Sequence, residues 1–173
     1  PQQFKDAITD DTRLVFGETL GNPGIEVMDI PVIAEIAHEA SLPLMIDSTF
    51  TTPYLMNPID HGADIINDVS GGDADPLMWD VVAKARAPYV MMHMQGVPAS
   101  MQDAPSYDDV VEDVLQALQT KLFRAYDAGL SDVILDVGFG FGKTVSHNYQ
   151  LLDALPQFQA LGCPILVGVS RKS

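Results

Sequence analysis

Short apolar runs alternate with stretches of helical periodicity along the whole chain. The runs fall at residues 14–16, 44–46, 64–66, 89–92, 133–135 and 165–169, lengths that suit strands buried on both faces. After an amphipathic start around residues 4–8 and a turn at Gly21 and Pro23, residues 30–40 put Ile33, Ile36, Ala37 and Ala40 on one helical face. Asp29 can cap that helix and Pro31 is tolerated in its first turn. A shorter helical stretch follows near 54–61. Asp75 and Pro76 open a helix carrying Leu77, Val81 and Val82. The longest helix spans 107–128, where Val111, Val114, Leu115, Leu118, Leu122 and Ala125 recur before Gly129 ends it. A last helix near 148–161 carries Leu151, Leu152, Leu155 and Phe158, with Pro156 as a kink or restart. Six strands separated by helices predict an α/β fold with an all-parallel sheet and right-handed crossovers, in order 1-2-3-4-5-6, as an open sheet or an incomplete barrel.

Ligands gather at the C-terminal ends of strands in such folds. The polar residues expected there are Glu18, Asp47, Asn67 with Asp68, His93, Asp136, and Ser170 with Arg171 and Lys172. A mouth of carboxylates, an amide and a lysine suits a flat heterocycle with adjacent N–H donors and a carbonyl, although each residue alone could equally cap a helix or meet solvent. The stretch LDVGFGFGKT around Asp136 is the most distinctive. Its glycines, Gly138, Gly140 and Gly142, let the backbone turn sharply and approach a ligand closely. Neither common nucleotide motif fits it, because Val137 stands where a Walker loop needs glycine and Lys143 where a dinucleotide fingerprint needs its third.

Composition narrows the class. A net charge of −15 and a pI near 4.2 argue against nucleic acid or an anionic membrane as partner. Cys163 is the only cysteine, which leaves no disulfide framework and no thiolate metal site and fits a cytoplasmic setting; it reads as a small buried hydrophobe. His38, His61 and His147 read as surface or capping residues, and no spacing suggests a metal site. No apolar stretch approaches the ~20 residues of a membrane span. The chain starts without Met and stops just after an apolar run, so both ends read as cut from longer sequences.

From about residue 65 to 173 the chain resembles dihydropteroate synthase, a (β/α)8-barrel family of folate biosynthesis. IINDVSGG, YVMMHMQGVPASMQ, ILDVGFGFGKT with HNYQLL, and LVGVSRKS are similar to that family's third to sixth barrel strands and their loops, in order. Val137 departs from the family's usual proline. Residues 4 to about 64 resemble a different family. FKDAITDDTRLVFGETLGNPG and PLMIDSTFTTPYLMNPIDHGADI are similar to the large domain of PLP-dependent Cys/Met-metabolism enzymes of the O-acetylhomoserine sulfhydrylase type. There Asn22 would lie near the cofactor and Asp47 would pair with its pyridinium nitrogen. The lysine that would carry PLP is missing, since none occurs between the GADI stretch and Lys84. The expectation is a chimera of a 1–64 and a 65–173 part folding as one unit, with its seam within 61–66. Lys5 and Arg13 are the only basic residues before that seam, against seven after it.

The resemblance to dihydropteroate synthase implies a pterin-facing set of Asp47, Asn67, Met92, Asp136, Phe141 and Lys172, with Ser170 and Arg171 beside it. Asp136 would accept from the amidine edge, Asp47 and Asn67 would read neighbouring ring nitrogens, Lys172 would donate on the carbonyl side, and Met92 and Phe141 would add apolar contacts. Asp47 would stand in for the family's own second-strand aspartate. The family joins p-aminobenzoate to a hydroxymethyl-dihydropterin with loss of diphosphate, helped by Mg. Its metal-binding loop on the first strand, its Ser-Thr-Arg-Pro loop on the second and its last-strand Arg and His find no counterpart in this sequence. The implied reading is therefore a catalytically incomplete protein that keeps part of a pterin pocket. Residual transferase activity and non-covalent binding of PLP or phosphate through Asn22 and Asp47 stay open. Unpaired strands at both sheet edges imply a homo-oligomer.

Overall fold

The computed structural model describes residues 1–96 and 105–169. Its six strands are β1 (Val15–Glu18), β2 (Leu44–Asp47), β3 (Ile65–Asp68), β4 (Tyr89–Met92), β5 (Val133–Asp136) and β6 (Ile165–Leu166). They form one parallel sheet in the order β1-β2-β3-β4-β5-β6, the open arrangement of a partial barrel. The helices are α1 (Gln2–Ala7), α2 (Ile30–Glu39), α3 (Thr52–Leu55), α4 (Met78–Ala85), α5 (Val110–Asp127), α6 (Val145–Asp153) and α7 (Leu155–Phe158). No described helix is long and apolar enough to cross a membrane.

Alternation along the strands divides the sheet into two faces. Val15, Leu44, Ile46, Ile66, Tyr89, Met91, Val133 and Leu135 join Ile33 and Ala37 of α2, Val82 of α4, Leu118 of α5 and Leu151 of α6 in one buried core. The intervening residues, among them Phe16, Met45, Asn67, Met92, Asp136 and Leu166, line the other face. That face holds the candidate site. One sheet and one core take in residues on both sides of 61–66. Asp64 ties this stretch to its neighbours, with Oδ2 accepting from the Leu44 amide at 2.7 Å and lying 2.9 Å from His38 Nε2.

Four strands, β1, β2, β3 and β5, end later than their apolar runs. The ladder pairs Glu18 with Asp47, Asp47 with Asn67, and Met92 with Asp136. Backbone pairing thus carries the polar residues inside the strands, where hydrophobicity gives no sign of them. β6 instead stops at Leu166 rather than 169, because β5 offers it partners only at Leu135 and Asp136 before the chain turns at Gly138.

Helix ends follow local chemistry. Asp109 accepts from the Val111 and Glu112 amides and starts α5 three residues after the expected 107. Thr144 and His147 form a reciprocal capping box that starts α6 at Val145, so His147 sits inside the helix it was expected to precede. Pro156 lies in the first turn of α7 and divides the expected 148–161 helix. The 54–61 stretch likewise splits into α3 and a 3-10 turn at Pro58–His61, opened by the Asn57 side chain bonding the Ile59 amide.

Candidate functional site

The site begins with two neighbouring strand ends. Asp47 and Asn67 are register partners on β2 and β3, and the Asn67 amide Nδ2 donates to Asp47 Oδ2 at 2.8 Å. The other carboxylate oxygen, Oδ1, accepts from the Thr49 amide at 2.9 Å, and Thr49 Oγ1 accepts from the Val69 amide at 2.8 Å. This small network orients both side chains before any ligand arrives. Burial pushes the Asp47 carboxyl above its ordinary range; the bonds from Thr49 and Asn67 oppose that shift, and the nearby Asp68 charge adds to it.

Asp136 ends β5 opposite Met92. Its Oδ1 accepts from the Gly138 amide at 2.8 Å, so the turn that follows the strand fixes the carboxylate. Val137, where the resemblance implies proline, is wholly buried in the core. Asn67, Met92, Asp136, Phe139 and Phe141 line a hollow of about 360 Å³ with Leu14, Phe16, Met45, Val69, Leu166 and Gly168. That volume lies within the range of small-molecule pockets, roughly 300–1,000 Å³, and the mainly apolar wall with convergent polar groups is their usual make-up. Asp47 adjoins the hollow through Asn67.

Other expected residues lie elsewhere. Asn22 is exposed in the loop after β1, where its amide donates to Glu18 Oε2 at 2.9 Å. A Leu20–Val27 bridge and the Gly21 amide bonding Glu26 carry that loop outward. Asn22 therefore lines a separate depression with Gly17, Glu18, Glu26 and Met28, and the structure does not bring it together with Asp47. Neither hollow is lined by a lysine, so the described residues offer PLP no covalent anchor there.

Asp68 is turned away from the mouth by alternation with Asn67. Its buried carboxylate accepts from the Ser70 amide and hydroxyl, the Gly72 amide and the Tyr89 hydroxyl. Ser170, Arg171 and Lys172 lie outside the described residues. Among the described residues no group of three or more His, Cys, Asp or Glu side chains could hold a metal ion.

Two aromatic residues and a lysine were not singled out by sequence reasoning. Phe16 and Phe139 line the hollow, and the alternation of Phe with Gly in GFGFG is the signal that could have marked Phe139. Lys143, which served only to exclude nucleotide motifs, is buried beneath the Asp136 turn with its ammonium 3.0 Å from His93 Nδ1.

Residues 27–173 match the family model described as pterin binding enzyme. The chain belongs to this family. The match starts ahead of the expected 61–66 seam and takes in α2 and β2. The chain is 38% identical over 146 residues to a dihydropteroate synthase of Synechocystis, covering 83% of this chain and 50% of that protein. It is 41% identical over 155 residues to the Mycobacterium leprae enzyme of the same name, covering 87% and 54% respectively. The chain thus spans about half the length of the curated relatives it matches. A crystal structure of dihydropteroate synthase from Thermus thermophilus superposes with a TM-score of 0.85 at 32% identity, covering 99% of this chain and 67% of that one. A second structure of that protein, in complex with 4-aminobenzoate, gives 0.84. The pterin-binding family therefore accounts for the partial-barrel architecture and for the segment that carries Asp47, Asn67 and Asp136.

Proposed function

We propose that this chain binds the ring of a pterin in the hollow between β2, β3 and β5, as a part of a dihydropteroate synthase would. The observation that carries the reading is the Asn67–Asp47 hydrogen bond on adjacent strands, facing the same hollow as Asp136. Two carboxylates and an amide, fixed by backbone donors, suit a ligand edge rich in N–H groups; Met92, Phe139 and Phe141 suit its flat faces. Lys172 would meet the carbonyl side. Calorimetric titration with hydroxymethylpterin tests this directly. Saturable one-to-one binding, weakened roughly ten-fold or more in Asp136→Ala, is the expected result, and no heat beyond dilution would sink it.

Turnover is a separate question. Transfer to p-aminobenzoate needs cationic groups around the departing diphosphate, and the sequence segments that supply them in the family have no counterpart here. Residues 1–173 are therefore proposed to bind pterin without turning it over. A colorimetric assay with the pterin diphosphate and p-aminobenzoate that rises above the uncatalysed rate would overturn this.

The exposed Phe16 at the β1 edge and the exposed Val167 and Val169 after β6 favour self-association. Sedimentation showing only monomer at micromolar concentration is the contrary result. The two-parent origin is proposed for the stretch of residues 1–64, with its join within 61–66. Genomic reads that run uninterrupted from that stretch through 61–66 in a natural gene would remove an artificial join.

A further inference from the structure

Lys143 is an unusual residue to find beneath an acidic hollow. It is 4% exposed, and its ammonium lies within hydrogen-bonding reach of four acceptors. These are His93 Nδ1 at 3.0 Å, the His93 carbonyl at 3.3 Å, the Gly138 carbonyl at 3.0 Å and the Phe141 carbonyl at 3.0 Å. A protonated lysine has three protons to donate and no lone pair, which suits this cradle of acceptors; burial pulls the Lys143 amine down to about 7, and the Asp136 charge opposes that shift. His93 is kept neutral, with burial and then the Lys143 charge pulling its imidazole down to about 3, which leaves a ring nitrogen free to accept. On the outer side, the Tyr107 hydroxyl donates to the Gly142 carbonyl at 2.8 Å and its ring stacks edge-on with His147, 5.0 Å between centroids.

The carbonyls of His93, Gly138 and Phe141 come from the end of β4 and from two places in the turn after β5. Without a cation between them, three carbonyl oxygens and an imidazole lone pair would face one another in a dry interior. Like dipoles would repel, the His93 imidazole nitrogen would lose the donor it faces, the Gly138 carbonyl would keep only the Phe141 amide at 3.1 Å, and the turn would open. The same turn holds Asp136 through the Gly138 amide and places Phe139 and Phe141 on the wall of the hollow.

We propose that Lys143 is a positioning residue, which latches the Gly138–Phe141 turn onto the end of β4 and so fixes Asp136 and Phe141 where a pterin ring meets them. This rests on the reading of the hollow as a pterin site. Lys143 touches no ligand itself. It acts through the turn, as a buried tie whose removal loosens the site more than the fold's other parts.

The experiment compares hydroxymethylpterin affinity by calorimetry in the wild type, in Lys143→Met and in Leu118→Ala, a core truncation in α5 away from the hollow. All are measured where circular dichroism shows them folded. Lys143→Met is expected to bind roughly ten-fold more weakly, the order of one charge-assisted contact, with Leu118→Ala within about two-fold of the wild type. Affinity lost equally in both variants would assign Lys143 to general stability and overturn the proposal. So would a folded Lys143→Met with wild-type affinity.

Should Lys143→Met fail to fold, the wild type answers alone. At pH below the value of about 7 to which burial pulls it, the Lys143 ammonium, shielded from water, is expected to give a slowly exchanging ¹⁵N resonance that shifts when pterin is added. A resonance unchanged at saturation overturns the latch. Wild-type protein that takes up no pterin overturns both readings; wild-type binding with an indifferent Lys143 overturns the latch alone.

Discussion

Gly138 offers the sharpest test of how the turn after β5 is built. Its φ is +71°, the left-handed region in which an L side chain is disfavoured by roughly 1–2 kcal/mol. A methyl group added at Gly138 would also overlap the His93 carbonyl oxygen. That oxygen cannot easily yield, since the His93 amide is bound to the Asp136 carbonyl at 2.9 Å and the carbonyl itself faces Lys143. Forcing such a displacement costs about 1–3 kcal/mol more. Gly162 is the control, because its φ is +74° and nothing lies within 4 Å of an added Cβ. Gly162→Ala therefore carries the backbone cost alone, about 1–2 kcal/mol, and Gly138→Ala about 2–5 kcal/mol. For a domain of this size each kcal/mol lowers the melting temperature by roughly 2–4 °C. Urea denaturation followed by circular dichroism, with equal m-values confirming a shared unfolded state, measures both. Equal losses within about 0.5 kcal/mol would refute the close approach of this turn to β4.

Acid should destabilise the protein through His93. With its folded value near 3 against the usual 6.5, the unfolded chain binds the extra proton between those values, so stability falls as pH drops through that window, by at most about 1.4 kcal/mol per unit. His93→Gln is expected to flatten this limb in urea titrations between pH 6.5 and 4, and an unchanged slope would show that the imidazole is not buried neutral. Tyr89→Phe removes the 2.7 Å bond from a buried hydroxyl to the Asp68 carboxylate. It should cost about 2 kcal/mol by the same denaturation assay, whereas a loss under about 0.5 kcal/mol would mean that the Ser70 and Gly72 donors suffice. Lumazine, which carries a carbonyl where pterin has its exocyclic amine, should bind at least about a hundred-fold more weakly than hydroxymethylpterin. Equal calorimetric affinities would show that the acids do not read that edge.

The strand order was legible because short apolar runs alternate with helical periodicity, and the family resemblance set Asp47 beside Asn67, which are register partners on β2 and β3. Period-two alternation also held an answer that listing strand-end polars passed over. Asn67 and Asp68 are consecutive in one strand and must face opposite ways, so only one of them could line the hollow. Lys143 was not legible. Nothing in GKT announces burial, and its cradle is assembled from carbonyls of β4 and of the β5 turn that meet only in the folded chain. The position of Asn22 was hidden for a related reason, since the Glu18 carboxylate and the Leu20–Val27 bridge that carry its loop outward are tertiary facts.

The hollow's polar character limits what it can hold. Its described lining presents Asp136 and Asn67, with Asp47 behind, and no lysine or arginine; Lys143 lies beneath the turn, its amine held among four acceptors. Acids held by backbone amides in a mostly apolar wall favour a ligand that brings its own donors, because an anion there would meet like charge with little water to screen it. Under the proposed reading, β2, β3 and β5 together present the groups that a flat, donor-rich ring would meet.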